Sequence, residues 1–198
     1  MTIPNGGGSP GVVVPVRAFV GGFARLAGRL DPEARAELAF RLADRVVDAA
    51  AGMPVIVVSS APEVRTWATG RGLQLVDDPG TLDDAASAGR VRVVELGCER
   101  VVVVHADLPR ARSLAAVTDA VGETAAVLVP DHHGDGTPVL SVPVAAPFRF
   151  AYGPGSFARH VAEAERVGLE VRVVHDDDLS FDVDEPADLE RLGLLSPP

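Results

Sequence analysis

Short apolar, β-branched runs alternate along this chain with longer amphipathic stretches. A buried strand has a continuous apolar sequence, whereas a helix repeats its apolar positions every three or four residues. In the longest helical stretch, Asp31 is placed to cap the first turn, Pro32 suits that turn and Gly52 suits the end. We predict strands at 11–16, 54–60, 73–78, 100–109, 125–131, 137–144, 169–176 and 179–184, and helices at 31–52, 61–72, 82–97, 112–122, 155–168 and 185–195.

This alternation predicts an α/β fold: a three-layer sandwich with a mostly parallel central sheet and helices on both faces. The run at 100–109 is the most apolar and is expected near the centre of the sheet. Residues 125–152 are poorer in helix and predict an antiparallel or edge element. We expect residues 1–11 to be a flexible N-terminal tail and residues 12–195 to form one domain.

Composition narrows the class of protein. The chain has 198 residues, of which 47% are hydrophobic and only 5% aromatic, so its core must be built of Val, Leu and Ala. No apolar run is long enough to span a bilayer, and the N-terminal segment lacks the basic and apolar regions of a signal peptide. A single cysteine suits a reducing compartment. We therefore expect a cytoplasmic protein that does not bind membranes.

The charged residues exclude several chemistries. The net charge is −10 and the arginines are scattered, which argues against binding to nucleic acid. The chain contains no lysine, so all 18 basic residues are arginine. Schiff-base chemistry, pyridoxal phosphate and the Walker A phosphate loop each need a lysine and are excluded. Any phosphate must be bound by arginine, backbone N–H groups, hydroxyls or a metal ion.

Carboxylates lie at the ends of two predicted strands, and open α/β sheets form their sites beyond the carboxyl ends of strands. Asp107 comes after the run at 100–104 and is equally compatible with a metal ligand or with a cap for a helix starting near Pro109. In the stretch "FDVDEP", an extended strand would place Asp182 and Asp184 on one side, roughly 6–7 Å apart. Like charges so placed repel unless a cation lies between them, and Mg²⁺ suits carboxylate oxygens. The alternative is that Asp184 caps the following helix while Asp182 is merely exposed.

Two glycine-containing segments could bind an anion. Gly153 and Ser156 lead into a predicted helix, whose free N–H groups would point outward, and Thr137 could add a hydroxyl. The alternative is an ordinary Gly-Pro turn with Ser156 as the N-cap. The loop at 17–30 combines a glycine pair with arginines and could hold a polyphosphate, or could be a flexible loop with solvated side chains.

The histidines do not have the spacing of a metal site. We interpret the adjacent pair His132 and His133 as part of a polar loop rather than a zinc site.

Five motifs resemble those of one known family. They are "VPVRAFVGGFARL", "HADLP", "DGTPVL", "YGPGSFARH" and "FDVDEPADL", and the likeness runs from Val12 to Leu192. The family is the 2-phospho-L-lactate or phosphoenolpyruvate guanylyltransferases of deazaflavin coenzyme biosynthesis. The resemblance implies a nucleotidyltransferase-type fold, which is GT-A-like and Rossmann-like. It also implies transfer of GMP from GTP to a phosphorylated three-carbon acid, with release of pyrophosphate.

The resemblance also implies roles for individual residues. The carboxylates matching the family's catalytic Mg²⁺ ligands are Asp107, Asp182 and Asp184. The positions matching its phospho-acid site are Thr137, Gly153 and Ser156. The positions matching its nucleotide site are Arg17, Arg25 and Asp83. The implied partners are GTP, a small phosphorylated carboxylic acid and, for hand-over of the product, the next transferase of the pathway.

Three positions depart from the family pattern, all on the nucleotide side. Arg17 and Phe23 stand where the family has lysines, and Asp83 stands where it has asparagine. Two further hypotheses therefore stay open. One is a related nucleotidyl- or glycosyltransferase that uses another nucleotide or another phospho-acid, such as 3-phosphoglycerate. The other is a non-catalytic homologue that binds the phospho-acid or a partner protein.

Overall fold

The computed structural model describes residues 9–119, 121–122 and 124–193, and these form an α/β fold. A short 3-10 helix, Ala24–Leu26, precedes the first α-helix. In chain order the elements are β1 (Pro10–Pro15), α1 (Pro32–Ala49), β2 (Val55–Val58), α2 (Pro62–Gly70), β3 (Gln74–Val76), α3 (Leu82–Glu95), β4 (Arg100–Val104), α4 (Ala115–Thr118), β5 (Ala125–Val129), β6 (Val139–Pro143), α5 (Ser156–Arg166), β7 (Glu170–Val173) and α6 (Pro186–Arg191).

The described strands form one seven-stranded sheet in the order β3-β2-β1-β4-β6-β5-β7. β4 lies at its centre, as its apolar sequence predicted. β6 is antiparallel to both β4 and β5, while the remaining neighbouring pairs are parallel. The antiparallel element expected within 125–152 is therefore present, but it lies inside the sheet and not at its edge.

The predicted three-layer arrangement is confirmed by how the strands divide their side chains. In β1, Val12 and Val14 pack on one face with residues of α1 and α2, whereas Val13 packs on the opposite face with residues of α3. All three valines are fully buried. Alternate side chains of a strand point to opposite faces, so a continuous valine run supplies both layers of core at once.

Helix α3 lies unusually close to the sheet. A Cβ atom on Gly89 would lie 2.3 Å from Cγ1 of Val13, which is nearer than two carbon atoms can approach. This position therefore requires glycine. Among the helices that the structure describes, none is both long and apolar enough to cross a membrane.

The predicted strand at 179–184 is wrong. Residues 177–179 form a turn, and residues 181–184 have no regular secondary structure. The segment reaches the end of β4, but both sides of that strand are already paired, with β1 and with β6. It can therefore only cross the end of β4, where a single ladder-like bond joins the Val183 N–H to the Asp107 carbonyl oxygen at 3.1 Å.

Several other boundaries differ from the sequence prediction. The helix expected at 112–122 is reduced to the four residues of α4, and residue 120 lies outside the described residues. β1 begins at Pro10, within the predicted tail, of which residues 1–8 lie outside the described part. The strand expected at 100–109 ends at Val104, so residues 105–109 lie beyond the strand, and residues 105–107 line a cleft.

Candidate active site

Polar residues converge at the carboxyl ends of the central strands. Arg17 follows β1, and His105 and Asp107 follow β4. β6 runs antiparallel, so its amino end lies at the same edge of the sheet, where the His105 N–H donates to the Pro138 carbonyl oxygen at 2.9 Å. A cleft of about 550 Å³ opens here, lined by Pro15, Val16, Arg17, Ala18, Phe19, Phe23, Ala24, Arg25, Ala39, Leu82, His105, Ala106, Asp107, Val183 and Asp184.

Asp107 does not cap a helix. No helix begins near Pro109, and the next one starts at Ala115. Oδ1 of Asp107 is buried and has no hydrogen-bond partner among the residues that the structure describes. Desolvation, and secondarily the negative charge of Asp184, raises the pKa of Asp107 to about 6. A buried, unpaired carboxyl oxygen facing a cleft is a strong candidate for a ligand contact.

The segment 181–184 presents its two aspartates despite not being a strand. Phe181 and Val183 are buried, while Asp182 and Asp184 are more exposed. The Arg110 guanidinium lies 4.2 Å from the centroid of the Phe181 ring and helps to fix the segment. The side chains of Phe181 and Val183 thus anchor the segment across the end of β4. The carboxylates of Asp182 and Asp184, which alternate with them, face polar partners.

Asp182 contacts His132, which the sequence predicts to lie in a polar loop. Nδ1 of His132 lies 3.2 Å from Oδ1 of Asp182. The His132 ring packs against Phe181, with the centroids 5.2 Å apart. Desolvation and then the negative charge of Asp107 raise the pKa of Asp182, whereas His132 acts in the opposite direction. Asp107 and Asp182 are therefore electrostatic neighbours in one polar site.

Asp184 has a different partner, Arg25, with which it forms an ion pair across the cleft. It is not the cap of α6, because Glu185 is the N-cap and forms a capping box with Asp188. The Asp188 carboxylate accepts the N–H groups of Asp184 and Glu185 at 3.0 and 2.8 Å. The three predicted metal ligands thus meet in one region, but two of them are paired with other side chains. Over residues 9–119, 121–122 and 124–193, no three His, Cys, Asp or Glu side chains form a ready-made metal-binding group.

A second polar cluster lies near His105. Thr137, Ser156 and His160 are buried, and His160 Nδ1 lies 3.0 Å from Thr137 Oγ1. Oγ of Ser156 lies 3.4 Å from Oγ1 of Thr137. The structure therefore brings together the two hydroxyls that the motifs assigned to substrate binding. It adds His160, one helical turn beyond Ser156 on the same face of α5.

The start of α5 is not an open anion site, which was one of the two alternatives that its sequence allowed. The N–H groups of Gly155 and Phe157 donate to the carboxylate and the carbonyl oxygen of Asp135, at 2.8 and 2.9 Å. The Ser156 N–H donates to the Gly153 carbonyl oxygen at 2.9 Å. Ser156 is also not the N-cap, since Gly155 occupies that position with a φ of 71°. The buried hydroxyls of Thr137 and Ser156 are polar groups that a ligand could engage here.

Of the predicted nucleotide residues, Arg17 and Arg25 line the cleft, whereas Asp83 is engaged elsewhere. Arg17 lines the cleft and donates from Nη2 to the Gly80 carbonyl oxygen at 3.0 Å. Phe23, at a family lysine position, adopts a left-handed φ of 51° and packs against two hydrophobic clusters. Oδ1 of Asp83 accepts the Tyr152 N–H at 2.6 Å, so this carboxylate ties the start of α3 to the segment before α5.

The loop between β5 and β6 supplies residues to both polar clusters, and the Asp131 carboxylate organises it. That carboxylate accepts the N–H groups of His133, Asp135 and Gly136 at 3.0, 2.9 and 2.6 Å. The sequence alone does not indicate this role of Asp131, nor the contacts of His132 and His160. The spacing of four between Ser156 and His160 was the one local signal, because such residues share a helix face.

The strand order and the cleft at the strand ends define a protein of the nucleotidyltransferase fold class. A Methanothermobacter nucleotidyl transferase superposes with a TM-score of 0.65 at 18% identity, covering 94% of this chain and 96% of the other. A Desulfovibrio desulfuricans protein named for nucleotide-diphospho-sugar transfer gives a TM-score of 0.74 at 18% identity, covering 92% and 85%.

Within this class, the chain belongs to the guanylyl transferase CofC-like family, which it matches over residues 11–195. A phosphoenolpyruvate guanylyltransferase from Sphaerobacter thermophilus is 37% identical over 192 residues, covering 93% of each chain. A 2-phospho-L-lactate guanylyltransferase from Halorubrum lacusprofundi is 35% identical over 178 residues, covering 85% of this chain and 77% of its own. The resemblance carried by the five motifs is thereby confirmed.

Proposed function

We propose that this protein transfers a guanylyl group from GTP to phosphoenolpyruvate, with release of pyrophosphate, in the synthesis of a deazaflavin coenzyme. The observation that carries the proposal is the meeting of Asp107, Asp182 and Asp184 at one end of the sheet, beside a cleft lined by arginine. Relatives named for phosphoenolpyruvate and for 2-phospho-L-lactate support the reaction class and make the lactate derivative the alternative acceptor.

The carboxylates fit a hard divalent cation such as Mg²⁺. Asp107 offers a buried oxygen without a partner, and it shares a negative electrostatic environment with Asp182 and Asp184. Mg²⁺ commonly uses one or two carboxylates together with substrate phosphates, so a preformed three-ligand cage is not required. Asp107 and Asp182 would hold the ion, joined by Asp184 when Arg25 releases it. When bound, the ion offsets the negative charge of the reacting phosphates.

GTP would occupy the cleft of about 550 Å³. Its apolar wall, which includes Phe19, Phe23 and Leu82, suits the base and ribose, and its polar wall suits the triphosphate. Arg17 and Arg25 can each present a planar fork of N–H donors to phosphate oxygens, which takes over part of the role of lysine in this lysine-free chain. Asp83 is proposed to act on the nucleotide side, through the position of α3.

The phospho-acid would be held by the hydroxyls of Thr137 and Ser156 and by the turn at Gly153. Its phosphate is already an anion, so attack on the α-phosphorus of GTP needs no strong general base. The difficulty is the approach of two anions in line, which positioning and positive charge must overcome. Thr137 and Ser156 orient the acceptor, while Arg17 and Arg25 orient the donor.

Pyrophosphate release tests the proposal when GTP, ATP, CTP and UTP are each combined with phosphoenolpyruvate, 2-phospho-L-lactate and 3-phosphoglycerate, with and without Mg²⁺. We expect release only with GTP and one three-carbon acid, in the presence of the metal. The guanylylated product is then identified by mass spectrometry. Binding of the phospho-acid by folded protein, without turnover for any nucleotide, would replace the proposal with a non-catalytic homologue.

A further inference from the structure

We propose that His160 is a positioning residue that makes the Thr137 hydroxyl a hydrogen-bond donor toward the anionic group of the phospho-acid. This inference rests on the proposed function, since it concerns the acceptor site of that reaction. It goes further because it assigns a role to a histidine that would not itself touch the substrate.

The surroundings of His160 hold its ring in one orientation. The side chain lies on α5 and is fully buried. Tyr152 contacts it edge to face, with centroids 4.7 Å apart, and Phe148 lies on another side at 5.9 Å. Both ring nitrogens have hydrogen-bond partners inside the protein, so the ring cannot rotate to replace them with solvent.

The partners of the ring define where its proton lies. The Ala151 N–H points at Nε2 from 2.9 Å, and a backbone N–H can only donate. Nε2 must therefore be an unprotonated acceptor, which places the single proton of the neutral ring on Nδ1. Burial, followed by the charges of Arg159 and His105, lowers the pKa of His160 to about 4 and agrees with a neutral ring.

The proton on Nδ1 fixes the role of Thr137. Nδ1–H donates to Oγ1 of Thr137 across 3.0 Å and occupies one of its lone pairs. A hydroxyl has one hydrogen to donate, and that of Thr137 must then point away from His160. Its neighbour inside the protein is Oγ of Ser156, and the 3.4 Å between the two oxygens makes a weak bond.

A carboxylate or a fully ionised phosphate accepts hydrogen bonds and cannot donate them, so a binding hydroxyl serves it only when its hydrogen faces the anion. The Ala151–His160–Thr137 chain fixes that direction before the ligand arrives. Preorganised donors of this kind avoid the cost of reorienting a dipole on binding. The N–H groups of Gly155, Ser156 and Phe157 at the start of α5 are already engaged by Asp135 and Gly153, so the nearby hydroxyls are better placed for this task.

The tautomer is tested directly by ¹⁵N NMR of histidine-labelled protein at pH 7. We expect His160 to be the neutral Nδ1–H form. The Nε2–H form, or a doubly protonated ring, would overturn the proposal. This measurement requires no turnover, so it remains decisive even if the guanylyl transfer reaction proves wrong.

Substitutions test whether His160 acts through Thr137. His160→Asn keeps a donor near the Nδ1 position, whereas His160→Gln keeps a group near Nε2 and loses that donor. We expect His160→Gln and Thr137→Val each to raise the KM for the phospho-acid by about tenfold or more. We expect kcat to stay within about threefold, and His160→Asn to restore most of the affinity. Thr66→Val, at an exposed position of α2, is the matched control and should leave the KM unchanged.

The double variant His160→Gln/Thr137→Val separates positioning from a general loss of structure. If His160 works through Thr137, the double variant loses no more affinity than Thr137→Val alone. Independent, multiplying losses would overturn the proposal, as would a His160→Asn variant as weak as His160→Gln. If the wild type does not turn over, the same comparisons are made with the Kd for the phospho-acid by calorimetry. Should His160→Gln fail to fold, Thr137→Val and the NMR tautomer still decide the outcome.

Discussion

Nδ1 of His132 lies 3.2 Å from Oδ1 of Asp182, although fifty residues separate them in the chain. The contact orients one of the carboxylates proposed to hold Mg²⁺. Outer hydrogen-bond partners commonly position metal ligands in this way, and their loss weakens metal binding about 10–100-fold. Asp182 is therefore supported by a side chain from the loop between β5 and β6.

Replacing His132 should weaken metal binding without unfolding the protein. We expect His132→Ala to raise the Kd for Mn²⁺ about 10–100-fold, measured by electron paramagnetic resonance. His132→Asn retains a polar group near the Nδ1 position and should recover part of this loss. His175→Ala, at an exposed site after β7, serves as the control. Unchanged Mn²⁺ affinity in His132→Ala would show that Asp182 needs no support from this ring.

The ion pair between Arg25 and Asp184 predicts opposing effects on metal and nucleotide. Arg25→Gln frees Asp184, so we expect tighter Mn²⁺ binding in nucleotide-free protein. The same change removes a phosphate contact and should raise the KM for GTP about tenfold. Arg29→Gln breaks a comparable pair, with Glu190 at 2.9 Å, and is the matched control. Weaker binding of both Mn²⁺ and GTP by Arg25→Gln would contradict the idea that Arg25 competes with the metal for Asp184.

The buried carboxyl of Asp107 predicts a pH-dependent cost to stability in metal-free protein. Its pKa is raised from 3.8 to about 6, so the folded state binds this proton more tightly than the unfolded state. The stability that protonation of Asp107 contributes to the folded state is fully present below pH 3.8 and is lost as the pH rises through about 6. Asparagine mimics the protonated form. At pH 8, Asp107→Asn should therefore raise the free energy of unfolding by about 1–3 kcal/mol.

Urea unfolding at pH 8 and near pH 4 measures this effect, and we expect the difference between variant and wild type to shrink at the lower pH. Asp177→Asn, at an exposed aspartate, should change stability by less than about 0.5 kcal/mol. Added Mg²⁺ should stabilise the wild type and not Asp107→Asn. An Asp107→Asn protein less stable than wild type at pH 8 would mean that the charged carboxylate is satisfied within the fold.

The close approach of α3 to β1 predicts a strong penalty at Gly89. Gly89→Ala places a methyl group 2.3 Å from Cγ1 of Val13, and overpacking of this kind costs about 1–3 kcal/mol. Gly70→Ala, at the end of α2, meets open space and should be neutral or stabilising by about 0.5–1 kcal/mol. Thermal unfolding of the two variants measures the difference. Equal melting temperatures would show that α3 can move away from the sheet at little cost.

The sequence by itself determined the layered fold and the general position of the site. The valine run of β1 indicated a strand buried on both faces, and Asp31 with Pro32 indicated the start of α1. These features depend on spacing within a few residues, which sets the local backbone and its apolar face. The alternation of such elements then placed Asp107 at the carboxyl end of the central strand.

Only the tertiary structure decided which of these side chains meet. The segment at 181–184 has the alternation of a strand, but β4 had no free side to pair with it. The antiparallel course of β6 brought Thr137 to His160, and Arg25 reached Asp184 from the other end of the chain. Such contacts depend on how distant elements pack, and local periodicity carries no information about the partner that a side chain finds there.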